Sequence, residues 1–151
     1  MKHQIRTHGA CPVEKSVITD EDLEVAQLCY RNEKYLHCAY FCQQTVEKAI
    51  KGRIAANDEI PYPIHDLAAL AEDAEIWEAL STEQRLFLRA LTTYAIGARY
   101  PERKRKLLSI CNKEEAKKIL KSSKEMVSWL KEKINERLSQ EKQSSKESKK
   151  Q

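Results

Sequence analysis

The chain has 151 residues, 41% of them hydrophobic and 33% charged, with only 3 Gly and 4 Pro and a formal net charge of +4. That length fits one domain and is short for two. The scarcity of breakers argues against a β-sandwich or barrel, the apolar content argues against disorder over most of the chain, and no apolar run is long enough to span a bilayer. The polar start, Met1-Lys2-His3-Gln4, has no apolar signal core, so a cytoplasmic location is expected.

Residues 1–17 show no periodicity and contain Gly9 and Pro12, and they read as a mobile lead. Thr19-Asp20-Glu21-Asp22 then reads as an N-cap with acidic residues in a first helical turn. Leu23, Ala26 and Tyr30 follow at helical spacing, to an end near Asn32. From Lys34 to about Asn57, apolar residues cover more than half the circumference of a second helix. A helix of that kind is central and packs on several neighbours. Pro61 and Pro63 break the chain after it, and His65-Asp66-Leu67 opens a short helix.

Ser81-Thr82-Glu83-Gln84 is a capping box that starts a helix with Phe87, Leu91 and Tyr94 on its inner face. Pro101 stops that helix, and Arg103-Lys104-Arg105-Lys106 reads as a basic connector. Asn112-Lys113-Glu114-Glu115 is a second capping box. The last helix carries Ala116, Ile119, Leu120, Ser123, Val127, Leu130, Ile134 and Leu138 along one seam. Residues 139–151 are Ser, Lys, Glu and Gln and read as a disordered charged tail. The fold class is therefore all-α: an antiparallel up-and-down four-helix bundle over residues 18–138, with an extra short helix.

Charge is unevenly spread. Residues 1–98 carry 10 basic and 15 acidic side chains, a net −5, and residues 99–151 carry 17 and 8, a net +9. Such a basic half is either a solvated lysine-rich helix with its tail or a nucleic-acid-binding face. The five cysteines are odd in number and read as reduced thiols. Cys38 and Cys42 stand one turn apart beside His37, but no second ligand pair accompanies them, so core packing is expected and no metal or cofactor.

Three segments carry a family resemblance: Tyr40-Phe41-Cys42-Gln43-Gln44-Thr45-Val46-Glu47-Lys48-Ala49-Ile50-Lys51 on the central helix, His65-Asp66-Leu67 after the proline loop, and Arg99-Tyr100-Pro101. In this order, between helices of these lengths, they resemble the HEPN domain family over about Thr19 to Leu138. The resemblance implies a helical bundle that forms a homodimer. It also implies, as partners, a minimal nucleotidyltransferase in a toxin–antitoxin-like pair, and a nucleotide or RNA. Some members are metal-independent ribonucleases that carry an Arg followed after four to six residues by a His. Here no His follows Arg99 in that window or anywhere after His65. Arginine stays protonated and cannot take a proton, so the resemblance points to a non-catalytic member. A ribonuclease that uses Arg99 with an atypical base is the alternative, and a purely structural dimeric module is a third reading.

The candidate phosphate- or nucleotide-binding residues are Arg99, Tyr100, Lys48, Lys51, Gln43, Gln44, Glu47, His65 and Asp66. Gln43 and Glu47 form either a polar pocket floor or a structural network, with Glu47 reaching Arg99. Lys48 and Lys51 are phosphate contacts or, for Lys51 with Glu47, an ordinary i,i+4 pair. His65 or Asp66 either caps the short helix or lines the pocket. The Arg99 guanidinium matches phosphate geometry and Tyr100 offers a stacking face; alternatively Arg99 ties helices together.

Overall fold

The computed structural model describes residues 12–97 and 100–150. Its helices are α1 (Pro12–Arg31), α2 (Tyr35–Ala56), α3 (Leu67–Asp73), α4 (Thr82–Gly97), α5 (Pro101–Ile110) and α6 (Lys113–Ser148), with a single 3-10 turn at Trp77–Ala79. No strand occurs among the described residues. The all-α bundle is thus the fold, with two short helices, α3 and α5, where one was expected.

The chain runs up and down. α1 turns into α2 through Asn32–Lys34, where Lys34 N–H donates to the Cys29 carbonyl at 2.8 Å and the Tyr30 and Tyr35 rings meet at 5.8 Å. The two helices are antiparallel, and Lys48 pairs with Asp22 across them. Cys111 joins the end of α4 to the start of α2, because it meets Tyr94 and its thiol donates to the Tyr35 carbonyl at 3.5 Å. α6 runs antiparallel to α1, with Lys131 on Asp20 and Lys124 on Gln27. α2 and α6 are therefore parallel, and they pack directly on each other although an ideal bundle places such a pair on a diagonal. Small buried side chains suit this approach: Cys42 on α2 meets Ser123 on α6, and Ala39 and Ala116 are buried on the same two helices. Fully buried Ile50, Ile54, Leu67, Leu70, Leu88, Leu91 and Leu130 fill the remaining core. α2 is the central element, since it touches α1, α3, α4, α5 and α6.

Several boundaries differ from the sequence reading. The first helix starts at Pro12, so Thr19 is a buried mid-helix residue and not a cap. Proline is tolerated in a first turn, where its missing N–H has no partner to lose. Residues 1–11 of the expected lead lie outside the described residues. The expected basic connector is helical: Pro101 occupies the first turn of α5, after Tyr100 in extended backbone. Proline here starts a helix besides ending one. α6 continues past Leu138 to Ser148 as an exposed extension, where good helix formers and the Arg137–Glu141 pair favour the continuation.

The caps of α4 and α6 stand where the sequence put them. Ser81 accepts from Gln84 N–H at 3.1 Å while the Gln84 side chain accepts from Ser81 N–H at 2.9 Å. Asn112 accepts from Glu115 N–H at 2.9 Å. Cys38, Cys42 and Cys111 are free, buried thiols, and no group of His, Cys, Asp and Glu suited to a metal occurs among the described residues.

Candidate functional site

The site begins with a polar patch on the central helix. Gln43 is fully buried and Glu47 is 6% exposed, one turn apart on the face of α2 toward the proline loop. Buried groups of this kind must be bonded. Gln43 Nε2 donates to Glu47 Oε2 at 3.0 Å and to the His65 carbonyl at 3.4 Å. Its Oε1 accepts from Gln44 Nε2 at 2.9 Å. Glu47 Oε1 accepts from Lys51 Nζ at 2.7 Å, and the His65 Nδ1 edge lies 3.0 and 3.1 Å from the two carboxylate oxygens. One carboxylate therefore gathers an amide, an ammonium and an imidazole.

Electrostatics follow from that set. Burial works to raise the Glu47 pKa, but the bonds from Lys51, Gln43 and His65 outweigh it and hold the carboxyl below its usual range. Glu47 is ionised at neutral pH. The Glu47 carboxylate can only accept, so His65 Nδ1 presents an N–H to it and Nε2 is the ring nitrogen turned away. The His65 side chain is 52% exposed, so the ring reaches from the buried carboxylate to solvent.

The loop is set by neighbouring elements. Asp66 caps α3, its Oδ1 accepting from Ala68 N–H at 3.0 Å and Ala69 N–H at 3.3 Å. Thr92 on α4 accepts from Leu67 N–H at 3.1 Å and donates to the Leu88 carbonyl at 2.8 Å. Thr92 is a positioning residue that the sequence reading missed. Its only signal is a hydroxyl on the inward half of α4.

Of the nine candidates, Gln43, Gln44, Glu47, Lys51 and His65 come together. Lys51 with Glu47 is an i,i+4 pair, but one of its members is buried. Lys48 points to α1, where it pairs with Asp22. Asp66 is occupied as a cap. Tyr100 is exposed at the start of α5, with the Arg103 guanidinium 5.4 Å from its ring centre. Arg99, and with it the expected Glu47–Arg99 contact, lies outside the described residues.

A bundle with a central, hydrogen-bonded Gln–Glu–Lys–His patch beneath a proline loop is an all-helical module with a polar face built into its core. The family model of the HEPN domain matches residues 18–134, and the chain belongs to the HEPN domain family. Among solved structures, the fold is similar to the crystal structure of TT1696 from Thermus thermophilus. The TM-score is 0.70 at 20% sequence identity, covering 81% of this chain and 97% of that one. No curated protein matches the sequence. No helix among the described residues is long and apolar enough to cross a membrane.

Proposed function

We propose that this chain is a non-catalytic HEPN protein that binds the phosphate of a nucleotide or nucleic acid at the Lys51–His65 edge, helped by Arg99 and Tyr100. It acts as a cytoplasmic homodimer beside a minimal nucleotidyltransferase, in a toxin–antitoxin-like pair. The observation that carries the reading is the buried Glu47 carboxylate, which fixes Lys51 and His65 side by side. Lys51 spends one of its three donors on Glu47 and keeps two for a phosphate oxygen. Because the ammonium is already held in place, less side-chain entropy is lost on binding. The basic second half of the chain adds long-range attraction for polyanions.

Calorimetric titration with nucleoside triphosphates and with a short RNA tests this. Wild type gives saturable heat, and Lys51→Ala and Arg99→Ala each weaken binding about tenfold, the loss of one charge-assisted contact. No saturable heat with either ligand overturns the reading in favour of a structural module. Co-expression with a minimal nucleotidyltransferase yields a co-purifying complex if the pairing holds, and separate elution of the two proteins overturns it.

The Glu47–His65 contact favours one second reading, a metal-independent ribonuclease. A neutral imidazole oriented through Nδ1 offers Nε2 as a base toward a 2′-hydroxyl, the group that the sequence lacks after Arg99. Cleavage of RNA by purified protein in chelator, lost in both His65→Ala and Arg99→Ala, would establish it. Intact RNA after prolonged incubation excludes it.

A further inference from the structure

Away from the Glu47 patch, α4, α5 and α6 enclose a half-open cavity of about 590 Å³. Its wall is apolar: Phe87, Leu91 and Tyr94 from α4, Leu107 and Ile110 from α5, and Ile119 from α6. Its mouth is cationic, with Arg103, Lys106 and Lys118 against a single acidic side chain, Glu115. Of that wall, Tyr94 meets the Cys111 thiol behind it, and burial raises both groups, the thiol to about 11. Among the described residues, Lys106 and Lys118 form no salt bridge, and the Arg103 guanidinium rests only on the Tyr100 ring.

The outer wall is incomplete. α5 buries none of its residues, Ile110 is half exposed, and only Leu107 packs against the core. A cavity of several hundred Å³ with an apolar body and a few convergent polar groups has the dimensions of a small-molecule site. Charge complementarity selects its occupant. An uncharged hydrocarbon would leave three cations facing it, whereas a polyanion would meet Glu115 and gain nothing from the apolar depth.

We propose that the α4–α5–α6 cavity is a binding site for a small amphipathic anion, an aromatic or acyl body carrying one acidic head. The body lies between Phe87, Leu91 and Ile119. The head sits at the mouth between Lys106 and Lys118, with Arg103 close by. Binding completes the core beneath α5 and holds that helix in place. This site is separate from the Glu47 patch; it touches the phosphate-binding reading only through Arg103, which rests on the Tyr100 ring.

The test is a fluorescence titration of the full chain with 8-anilinonaphthalene-1-sulfonate, with N-phenyl-1-naphthylamine as the uncharged counterpart and decanoate as competitor. The sulfonate binds saturably at one probe per chain, decanoate displaces it, and the naphthylamine binds about tenfold more weakly. The double variant Lys106→Glu with Lys118→Glu weakens the sulfonate about tenfold and leaves the naphthylamine unchanged. Ala90→Trp, at an exposed α4 position lining the cavity, blocks both probes while circular dichroism stays native. Absence of saturable binding overturns the proposal, as does charge reversal without effect on the sulfonate. A wild type that binds neither probe, but whose Ala90→Trp variant sediments at a lower mass, also overturns it and assigns the cavity to a second copy of the chain.

Discussion

Glu47 is the residue on which the polar face turns. Its folded pKa lies below the unfolded value, so the native carboxylate binds a proton less readily than the unfolded one. Its contribution is fully present above the ordinary glutamate pKa of about 4.3 and is lost as pH falls through the depressed native value. Glu47→Gln keeps the shape but removes the charge that holds Lys51 and His65. We expect a loss of about 1–3 kcal/mol at neutral pH in urea unfolding. We also expect a flatter dependence of stability on pH between about 3 and 5. An unchanged acid slope would show that the carboxylate is not held as described. The sequence already set Gln43 and Glu47 one turn apart and offered Lys51 as an i,i+4 partner of Glu47, because that needs only the helix period. It did not pair Glu47 with His65, since 18 residues and a proline loop separate them and no local pattern encodes that return.

Among the elements, α2 was legible almost to the residue. Its apolar positions wrap more than half the circumference, and Pro61 and Pro63 forbid its continuation. α5 was not legible. Charges at Arg103, Lys104, Arg105 and Lys106 leave no apolar period, and its helix depends on Pro101 at the start and Leu107 against the core. Three helix ends turn without a glycine. Glu33, Asp58 and Glu75 take positive φ of 60, 60 and 59°, where a glycine would have announced the turn. α3 is short and relies on Asp66, whose carboxylate satisfies two of its first N–H groups. Asp66→Ala should cost about 1 kcal/mol, read by chemical denaturation. Because His65 adjoins the cap, the same variant should also broaden the His65 ring resonances, whereas a cap with no bearing on the polar face would leave them sharp.

At the scale of the molecule, the bundle departs from an ideal one in the direct contact of parallel α2 and α6. Seam periodicity in the last helix showed which face turns inward, but not which helix would meet it, because that choice rests on the fit of small side chains at Cys42 and Ser123. Enlarging one of them should force the pair apart. Ser123→Leu is expected to cost about 1–3 kcal/mol by overpacking, measured by thermal or urea unfolding. A neutral result would mean that the two helices are not closely packed there. The charge asymmetry is likewise a whole-molecule property; on the proposed reading it draws anionic ligands in, and the Glu47 patch is where their phosphate binds.

The most direct test follows the ring nitrogens of His65 by NMR while a nucleoside triphosphate or a short RNA is added, with the exposed His37 on α2 as internal reference. The account predicts a saturable shift of the His65 Nε2 signal, abolished in Lys51→Ala, with His37 unmoved. Saturation of the protein with ligand while His65 stays fixed would contradict it.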